Sequence, residues 1–438
     1  VAGEPPLDKD DIFRIGYCLT RSLAGSGLAR PKLLIARDTR ISGPWIEQIL
    51  QAAIEHAGGV AETCGVLSTP AVSLLTRKTA AQAGIMISAS HNPFQDNGIK
   101  VFSAEGMKFN DAVEEELEKE ILACGLSAPA GFSSDPASVG FHHSVSQTFQ
   151  DMYTGYLRSC IAPGFTLHRL KVIVDCAHGS LSGIAPAFFE NLGAEVHAIH
   201  RLPDGCNINL NAGALHLQKL QQEVRSRRAD IGIAFDGDAD RAMFVDSEGR
   251  VRDGDDVLYL LARYSEAANA PKIVVGTVMA NLGLEVALEN IGFRLVRTAV
   301  GDRYVLEEML RLGAIFGGEQ SGHVILTRLS RTGDGLLTAL KVLEILGSAG
   351  KEFATLCAPV QRFPQVLLNV KVREKVPFNN IPGLREAEAC CKEKLGEHSR
   401  ILLRYSGTEK LARVMVEGRD KAAVDDSARH LAAVFEGI

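Results

Sequence analysis

Ile231-Gly232-Ile233-Ala234-Phe235 runs directly into Asp236-Gly237-Asp238-Ala239-Asp240-Arg241. A short apolar run with no alternation suits a strand buried on both faces, as in a parallel sheet covered by helices. Ligands of such sheets sit beyond the carboxyl ends of the strands, which is where this acidic loop falls. Three carboxylates on alternate residues of an extended segment would point broadly to one side, and their mutual repulsion is tolerable only beside a cation or cationic groups. An all-oxygen donor set suits Mg²⁺ or another hard divalent ion. A calcium-sensing EF-hand loop is excluded, because Arg241 stands in the sixth position, which needs glycine, and Ser247 in the twelfth, which needs a bidentate glutamate. A solvated acidic turn is the plainer alternative, and placement straight after a buried strand argues against it.

The same apolar pattern recurs at Lys32–Ala36, Gly84–Ile87, Val172–Val174 and Ile273–Val275. Between the first two, Ile46, Leu50, Ala53 and Ile54 share one helical face. Strands alternating with amphipathic helices define an α/β fold. Joins are expected in the stretch Ala128–Ser146 ahead of a helix at Phe149–Leu157, at Ser247-Glu248-Gly249 ahead of a helix around Val257–Leu261, and at Phe363-Pro364. Beyond the last join Val366, Leu368 and Val370 alternate with Leu367, Asn369 and Lys371, the pattern of a strand with one more polar face. Four units follow: 1–146, 147–249, 250–363 and 364–438. No repeat of fixed period is visible.

The length of 438 residues allows about three domains on size alone. A composition 46% hydrophobic and 23% charged argues against disorder. With 47 Lys+Arg against 53 Asp+Glu the chain has no positive excess with which to displace counterions from a nucleic acid. No apolar run approaches the roughly 18–20 residues that span a bilayer, and Val1-Ala2-Gly3-Glu4-Pro5-Pro6 has neither the basic nor the apolar region of a signal peptide. A cytoplasmic location without membrane contact is expected. The cysteines (Cys18, Cys64, Cys124, Cys160, Cys176, Cys206, Cys357, Cys390 and Cys391) are odd in number and form no CxxC, so buried free thiols are expected rather than disulfides or zinc.

Three further loops have chemical potential. Ser88-Ala89-Ser90-His91-Asn92-Pro93, followed by Asp96-Asn97-Gly98-Ile99-Lys100, reads either as a nucleophile or phosphate-carrier loop built on Ser90, or as an ordinary capped turn. Gly317-Gly318-Glu319-Gln320-Ser321-Gly322-His323 offers Glu319 and Ser321 to vicinal hydroxyls and His323 as a proton carrier, or a structural histidine after a turn. Arg404-Tyr405-Ser406-Gly407-Thr408-Glu409, with Arg413, has the fork donors, hydroxyls and glycine nest of a phosphate clamp; its alternative is a polar hairpin.

Taken in order, SASHNP, DGDADR, GGEQSGH and RYSGTE resemble the loops of the α-D-phosphohexomutase superfamily, and the resemblance runs from Val1 almost to the C-terminus. Supporting stretches are Arg37-Asp38-Thr39-Arg40-Ile41-Ser42-Gly43, Pro203-Asp204-Gly205-Cys206-Asn207-Ile208-Asn209 and Val300-Gly301-Asp302-Arg303-Tyr304-Val305. The Glu-Gln-Ser form of the third loop favours the bacterial glucosamine-phosphate branch over the mannose- and glucose-phosphate branches, which more often have Glu-Met-Ser. The resemblance implies three similar mixed α/β domains and a smaller, mobile C-terminal α+β domain around a central cleft. It also implies an isomerase that interconverts glucosamine 6-phosphate and glucosamine 1-phosphate, a step toward UDP-N-acetylglucosamine and peptidoglycan. A hexose-phosphate mutase and a sugar-phosphate-binding protein without turnover remain the alternatives.

On that resemblance Ser90 carries the transferable phosphoryl group, and Asp236, Asp238 and Asp240 hold Mg²⁺ against it. Lys100 and Arg241 add positive charge, Lys100 also as an acid/base candidate, and His91 orients the phosphoserine. Glu319 and Ser321 bind sugar hydroxyls, His323 is a second proton carrier, and Arg404, Ser406, Gly407, Thr408 and Arg413 grip the non-reacting phosphate. A hexosamine or hexose 1,6-bisphosphate is the implied activator, and a homodimer through the first domain is the implied assembly. The family's Phe-Gly-Thr-Asp-Gly-Ile-Arg-Gly-like segment, whose arginine reaches the active site, is expected ahead of Val1. Lys410 stands where the family usually has Pro, and Ala239 where it more often has Gly; the latter is expected only to narrow backbone freedom.

Overall fold

The computed structural model describes residues 1–25, 29–142, 146–265, 270–406 and 409–436. The first sheet has the order β2-β1-β3-β4, from β1 (Lys32–Arg37), β2 (Val60–Val66), β3 (Ala83–Ile87) and β4 (Ile99–Ser103). Its helices are α1 (Lys9–Gly25), α2 (Gly43–His56), α3 (Thr69–Lys78) and α4 (Asp111–Ala123). β1 pairs in parallel with β2 and β3, whereas β4 is antiparallel to β3. Ile12, Phe13, Trp45, Ile46, Ile49 and Leu50 from α1 and α2 fill the core against Leu33, Ile35 and Ile85.

The second sheet follows α5 (Gln147–Ser159) and comprises β5 (Lys171–Asp175), β6 (Glu195–Ile199), β7 (Ile231–Phe235), β8 (Ala242–Asp246) and β9 (Val251–Arg252), with helices α6 (Ala185–Glu190) and α7 (Gln218–Arg227) between strands. Its order is β6-β5-β7-β8-β9. Because β9 pairs with β8, this sheet extends past the turn at Ser247-Glu248-Gly249. The chain leaves it at Asp253, whose carboxylate caps α8 (Gly254–Tyr264) through a capping box. The third sheet has the order β11-β10-β12-β13, from β10 (Ile273–Thr277), β11 (Arg294–Thr298), β12 (Phe316–Gly318) and β13 (Val324–Leu326), with α9 (Leu282–Glu289), α10 (Asp302–Leu312), α11 (Gly335–Ala349) and α12 (Phe353–Cys357). A fourth, fully antiparallel sheet, β14-β16-β15, is formed by β14 (Gln365–Lys371), β15 (Ser399–Tyr405) and β16 (Leu411–Gly418), with α13 (Leu384–Leu395) and α14 (Lys421–Phe435). Val414, Val416, Val424, Leu431 and Phe435 form its core.

The first three sheets therefore share one plan: the first strand lies centrally, the second outside it, the third on its other side, and a fourth returns antiparallel to the third. The chain carries a threefold repeat of topology that no sequence period announces. Ser90, the Asp236–Asp240 segment and Glu319–His323 all occupy the same place in that plan, the turn from the third strand to the fourth. Among the described residues no sheet is purely parallel; the inner strands are parallel and buried, and each of these three loops sits where the direction reverses.

By compactness the chain forms two units, Val1–Val278 with Val296–Cys357, and Met279–Leu295 with Ala358–Ile438. The segment with α9 joins the C-terminal sheet because Leu282 N–H donates to Glu417 (2.8 Å), while Asn281 brackets Phe363 from both its N–H and its C=O. None of the nine cysteines is in a disulfide, but Cys206 and Cys390 are exposed, which corrects the expectation of uniformly buried thiols. Cys206 lies in a turn, and Cys390 is on α13 next to the buried Cys391. No helix among the described residues is long and apolar enough to cross a membrane.

Candidate active site

All five residues of β3 are buried, and the strand delivers Ser88 and Ser90 at its carboxyl end. Ser88 Oγ donates to Asp38 Oδ2 (2.6 Å) and accepts the Ser90 N–H (2.9 Å). Ser90 has φ of 50°, the left-handed region that costs a non-glycine residue about 1–2 kcal/mol. Two residues hold it there. Buried Arg40 donates to the carbonyls of Ser90 (3.0 Å), Asn92 (3.0 Å) and Pro93 (2.5 Å), and Asn209 Nδ2 donates to Ser90 O (2.9 Å) and Asn92 O (3.1 Å). Arg40 is paired with Asp38 (2.9 Å). Burial pushes the Asp38 carboxyl up, and Arg40 opposes it. Ser90 Oγ then donates to Asp236 Oδ2 at 2.7 Å. Gly237 is required beneath it, since a Cβ there would lie 2.7 Å from Ser90 O and 2.9 Å from Asn209 Nδ2.

The acidic segment is a turn, not the extended strand continuation expected from its sequence. Ala239 has φ of 59° and its N–H donates to Asp236 O (3.1 Å), so the carboxylates converge because the chain folds back. Two helix starts hold the turn from outside. Thr69 at the head of α3 donates its N–H to Asp238 O (2.9 Å) and its hydroxyl to Asp238 Oδ2, and Gly335 at the head of α11 donates its N–H to Ala239 O (3.0 Å). One oxygen from each of Asp236, Asp238 and Asp240 lies within 4.8 Å of the others. Asp238 Oδ1 and Asp240 Oδ1 are buried with no hydrogen-bond donor. Burial first, then the neighbouring Asp240 and Asp238, drive the Asp236 carboxyl far above its ordinary range. Orphaned anionic oxygens with no competing donor fit a hard divalent cation.

Counter-charges surround the turn. Lys100, on β4, reaches Asp238 Oδ2 at 2.6 Å and Asp240 Oδ2 at 3.9 Å. Burial works against its charge, but the two carboxylates win and hold it protonated. Arg241 Nε lies 3.8 Å from Asp240 Oδ1. Burial and Arg241 lower the pKa of His91, keeping it neutral, and its Nδ1 is buried with no partner.

In the third loop, Glu319 Oε1 accepts the Gly301 N–H (3.1 Å), and Ser321 Oγ lies 3.3 Å from Glu319 Oε2. Gly254 is needed at the head of α8, where a side chain would strike Glu319 O. His323 is only 2% exposed. Its Nε2 accepts the Gly333 N–H (3.1 Å), and its Nδ1 faces Asp240 Oδ2 at 3.6 Å. That pairing fixes the tautomer with the proton on Nδ1. The sequence offered His323 as a proton carrier or as a structural histidine; in the structure its ring is buried against the acidic turn.

In the C-terminal unit, Arg404 and Arg413 sit directly opposite each other on β15 and β16. Burial and then Arg413 depress the pKa of Arg404, and Arg413 Nε is buried with no acceptor. Ser406 N–H donates to Leu411 O (2.9 Å), and Lys375 Nζ donates to Ser406 O (2.6 Å). Tyr405 stacks on Phe378, ring centroids 4.8 Å apart. Gly407 and Thr408 lie outside the described residues.

Several residues that build the site had no role in the sequence reading. Arg40 and Asn209 lay inside stretches noted only as supporting matches, and Thr69 is the middle residue of Ser68-Thr69-Pro70, a helix start whose capping signal says nothing of a distant carboxylate.

Three similar α/β sheets, with a serine, an acidic triad and a Glu-Gln-Ser loop at equivalent turns, and a fourth antiparallel sheet bearing an arginine pair, define a four-domain phosphohexomutase. The chain belongs to the phosphoglucomutase/phosphomannomutase family: the models of its alpha/beta/alpha domains I, II and III match residues 1–125, 151–249 and 253–363, and that of its C-terminal domain residues 367–434. It is 45% identical over 437 residues to the phosphoglucosamine mutase of Solibacter usitatus, covering 99% of this chain and 96% of that protein. To the phosphoglucosamine mutase of Moorella thermoacetica it is 44% identical over 438 residues, covering 100% and 96%. Among solved structures, a phosphoglucomutase/phosphomannomutase family protein from Burkholderia thailandensis has a TM-score of 0.78 at 23% identity, covering 99% of this chain and 95% of that one. Aspergillus fumigatus N-acetylphosphoglucosamine mutase in complex with GlcNAc-6P and magnesium has a TM-score of 0.63 at 19% identity, covering 92% and 82%. Both share the fold.

Proposed function

We propose that this chain is an intramolecular phosphotransferase that interconverts glucosamine 6-phosphate and glucosamine 1-phosphate through a phosphorylated Ser90. The observation that carries the reading is Ser90 Oγ, 2.7 Å from Asp236 in a buried three-carboxylate turn whose orphaned oxygens call for a divalent cation. The identity to phosphoglucosamine mutases over nearly the whole chain supports the choice of sugar.

Asp236, Asp238 and Asp240 would hold Mg²⁺, which supplies charge neutralisation for the phosphoryl group when bound. Arg40 and Asn209 fix the Ser90 backbone so that its hydroxyl oxygen stays aimed at the turn. In the forward step the bond between phosphorus and Ser90 Oγ breaks and one forms to a sugar hydroxyl, giving a 1,6-bisphosphate. The hydroxyl's proton leaves to a base as Ser90 Oγ regains one, and the return step reverses this from the other phosphate. Lys100, held protonated, is suited to stabilise charge and to donate a proton rather than to accept one. His91, neutral and with an unused buried nitrogen, is suited to steady the phosphoserine. Glu319 and Ser321 would take sugar hydroxyls. Arg404, Ser406 and Arg413, with Gly407 and Thr408, would grip the phosphate at rest, reading phosphate rather than a sugar end so that the bisphosphate can be held in either orientation. A hexosamine or hexose 1,6-bisphosphate would prime the serine.

The test is a coupled assay of glucosamine 1-phosphate formation with Mg²⁺ and a 1,6-bisphosphate, run beside glucose and mannose phosphates. The wild type should favour the hexosamine in kcat/KM, and Ser90→Ala should lose at least about 10⁴-fold in rate while still binding substrate. Near-full activity in Ser90→Ala would refute the phosphoserine; preference for a hexose phosphate would move the chain to a sister branch.

A further inference from the structure

Thr69 opens α3 with a hydroxyl that the helix itself does not use. The capping task falls to Ser68, whose side chain accepts the Ala71 N–H. Farther along, Thr76 and Thr79 turn their hydroxyls back onto the carbonyls of Val72 (2.8 Å) and Leu75 (2.9 Å), the ordinary course for a threonine on a helix. Thr69 has no preceding turn to bond, and its hydroxyl goes instead to Asp238 Oδ2, 169 residues away in the chain. Its N–H, a helix-end donor without an intrahelical partner, takes the carbonyl of the same aspartate at 2.9 Å. One residue therefore grips Asp238 twice, by main chain and by carboxylate.

The two oxygens of that carboxylate are treated differently. Oδ2 accepts from Thr69 and from Lys100 Nζ (2.6 Å), whereas Oδ1 is buried with no donor. Of the two donors, Lys100 brings charge, on a flexible stem that remains 22% exposed. Thr69 is fully buried, short and β-branched, so it brings direction. Without its hydroxyl the carboxylate is free to turn and follow the lysine. Its helix is also fixed in place, because α3 packs hard on β3: a Cβ on Gly84 would lie 2.1 Å from Thr76 Oγ1 and 2.9 Å from Val72 Cγ1. β3 is the strand that brings Ser90 to Asp236. One packed pair of elements thus touches the acidic turn at two points, Ser90 on Asp236 and Thr69 on Asp238.

We propose that Thr69 is a positioning residue for the cation-binding turn: by occupying Asp238 Oδ2 it fixes the rotation of that carboxylate and keeps Oδ1 for the cation. This rests on the reading that Asp236, Asp238 and Asp240 bind a divalent cation. Hydrogen-bond partners of ligating groups typically cost about 10–100-fold in metal affinity when removed.

The experiment measures Mn²⁺ binding to the full chain by electron paramagnetic resonance, and Mg²⁺ binding by competition with it, with no substrate present. Thr69→Val, which puts a methyl group in place of the hydroxyl, should weaken binding about tenfold, whereas Thr69→Ser, which keeps the hydroxyl, should stay within about threefold of the wild type. Thr76→Val removes a buried hydroxyl bond from the same helix without touching a carboxylate, and should bind as the wild type does. Unchanged or tighter binding in Thr69→Val overturns the proposal; if that variant fails to fold, Thr69→Ala is judged by the same criterion. Equal weakening by Thr76→Val also overturns it, since the effect would then belong to the stability of α3, and so does a Thr69→Ser variant as weak as Thr69→Val, which would assign the effect to the methyl group. The controls are the wild type and Asp238→Asn: if the wild type binds no cation, or Asp238→Asn binds it equally well, the cation reading itself falls and the proposal with it.

Discussion

The Asp236–Asp240 turn gathers three carboxylates, and the protein itself supplies the charges of Lys100 and Arg241 against them. The strand pair β15–β16 gathers Arg404 and Arg413 face to face, and among the described residues no carboxylate pairs with either. Like charges directly opposite on a sheet are destabilising. The first region is partly neutralised and leaves only selected oxygens, Asp238 Oδ1 and Asp240 Oδ1, for an incoming ion. The second leaves its whole charge for an incoming anion. The difference follows the proposed tasks. A cation that stays through turnover needs a rigid, pre-compensated cage, whereas a phosphate that must leave and be exchanged for its twin is better held by charge that is unspent until it arrives.

The most severe way to break this contrast is Asp238→Asn. The amide keeps the shape but removes the charge that binds Lys100 at 2.6 Å and one of the three anionic donors. Activity should fall by at least about 10³-fold, and the rise in Tm that Mg²⁺ gives the wild type should vanish. A variant that still gains stability from Mg²⁺ would place the cation elsewhere.

Asp334 shows what burial does to a carboxylate with no cation beside it. It caps α11, accepting from Leu337 N–H and Tyr153 O–H at 2.9 Å each, and burial raises its pKa to about 6 despite those bonds. Below about pH 4 both folded and unfolded forms are protonated. As pH rises, the unfolded chain ionises first, so folding loses up to about 3 kcal/mol, the loss being complete above the folded pKa. Asp334→Asn keeps an acceptor for both donors and removes that penalty. Its advantage in urea unfolding should be small at about pH 4 and largest at about pH 7.5. An advantage independent of pH would mean that the carboxyl is not the cause.

Arg413→Met tests the other side of the comparison. Removing one of two opposed guanidiniums should raise KM for the sugar phosphate about 10–100-fold while leaving Tm unchanged or higher, because the loss falls on the ligand and the relief on the fold. A lower Tm with unchanged KM would make the pair structural.

These two regions were not equally legible in the sequence. The acidic turn was, because three aspartates after a buried apolar strand are a local pattern, and so was the α/β class, because β1, β3, β7 and β10 are apolar runs buried by the helices they alternate with. The threefold topology was hidden because strand order is non-local: nothing in Ile85 or Ile233 records which strand lies beside it. Lys108 and Thr69 went unnoticed for the same reason, each acting on a carboxylate far away in the chain. The bend of the acidic turn was misread for a different reason. Alternate aspartates suggest an extended strand, and an alanine in the left-handed region gives no warning, whereas a glycine would have.

That alanine makes the smallest effect the most diagnostic of how the cage is held. Ala239 has φ of 59° and is fully buried, with its N–H on Asp236 O and its carbonyl on Gly335 N–H. The arginine strands, by contrast, show a regular antiparallel register and need no such backbone. An L-residue other than glycine pays roughly 1–2 kcal/mol in this conformation, and a glycine loses about half of that gain to its freer unfolded chain. Ala239→Gly should therefore stabilise the protein by only about 0.5 kcal/mol, seen as a slightly higher urea midpoint, without altering Mg²⁺ affinity. A lower midpoint would show that the buried methyl group, packed inside the turn, matters more than the backbone strain; an unchanged midpoint with weaker Mg²⁺ binding would show that the strain itself helps to close the three carboxylates together.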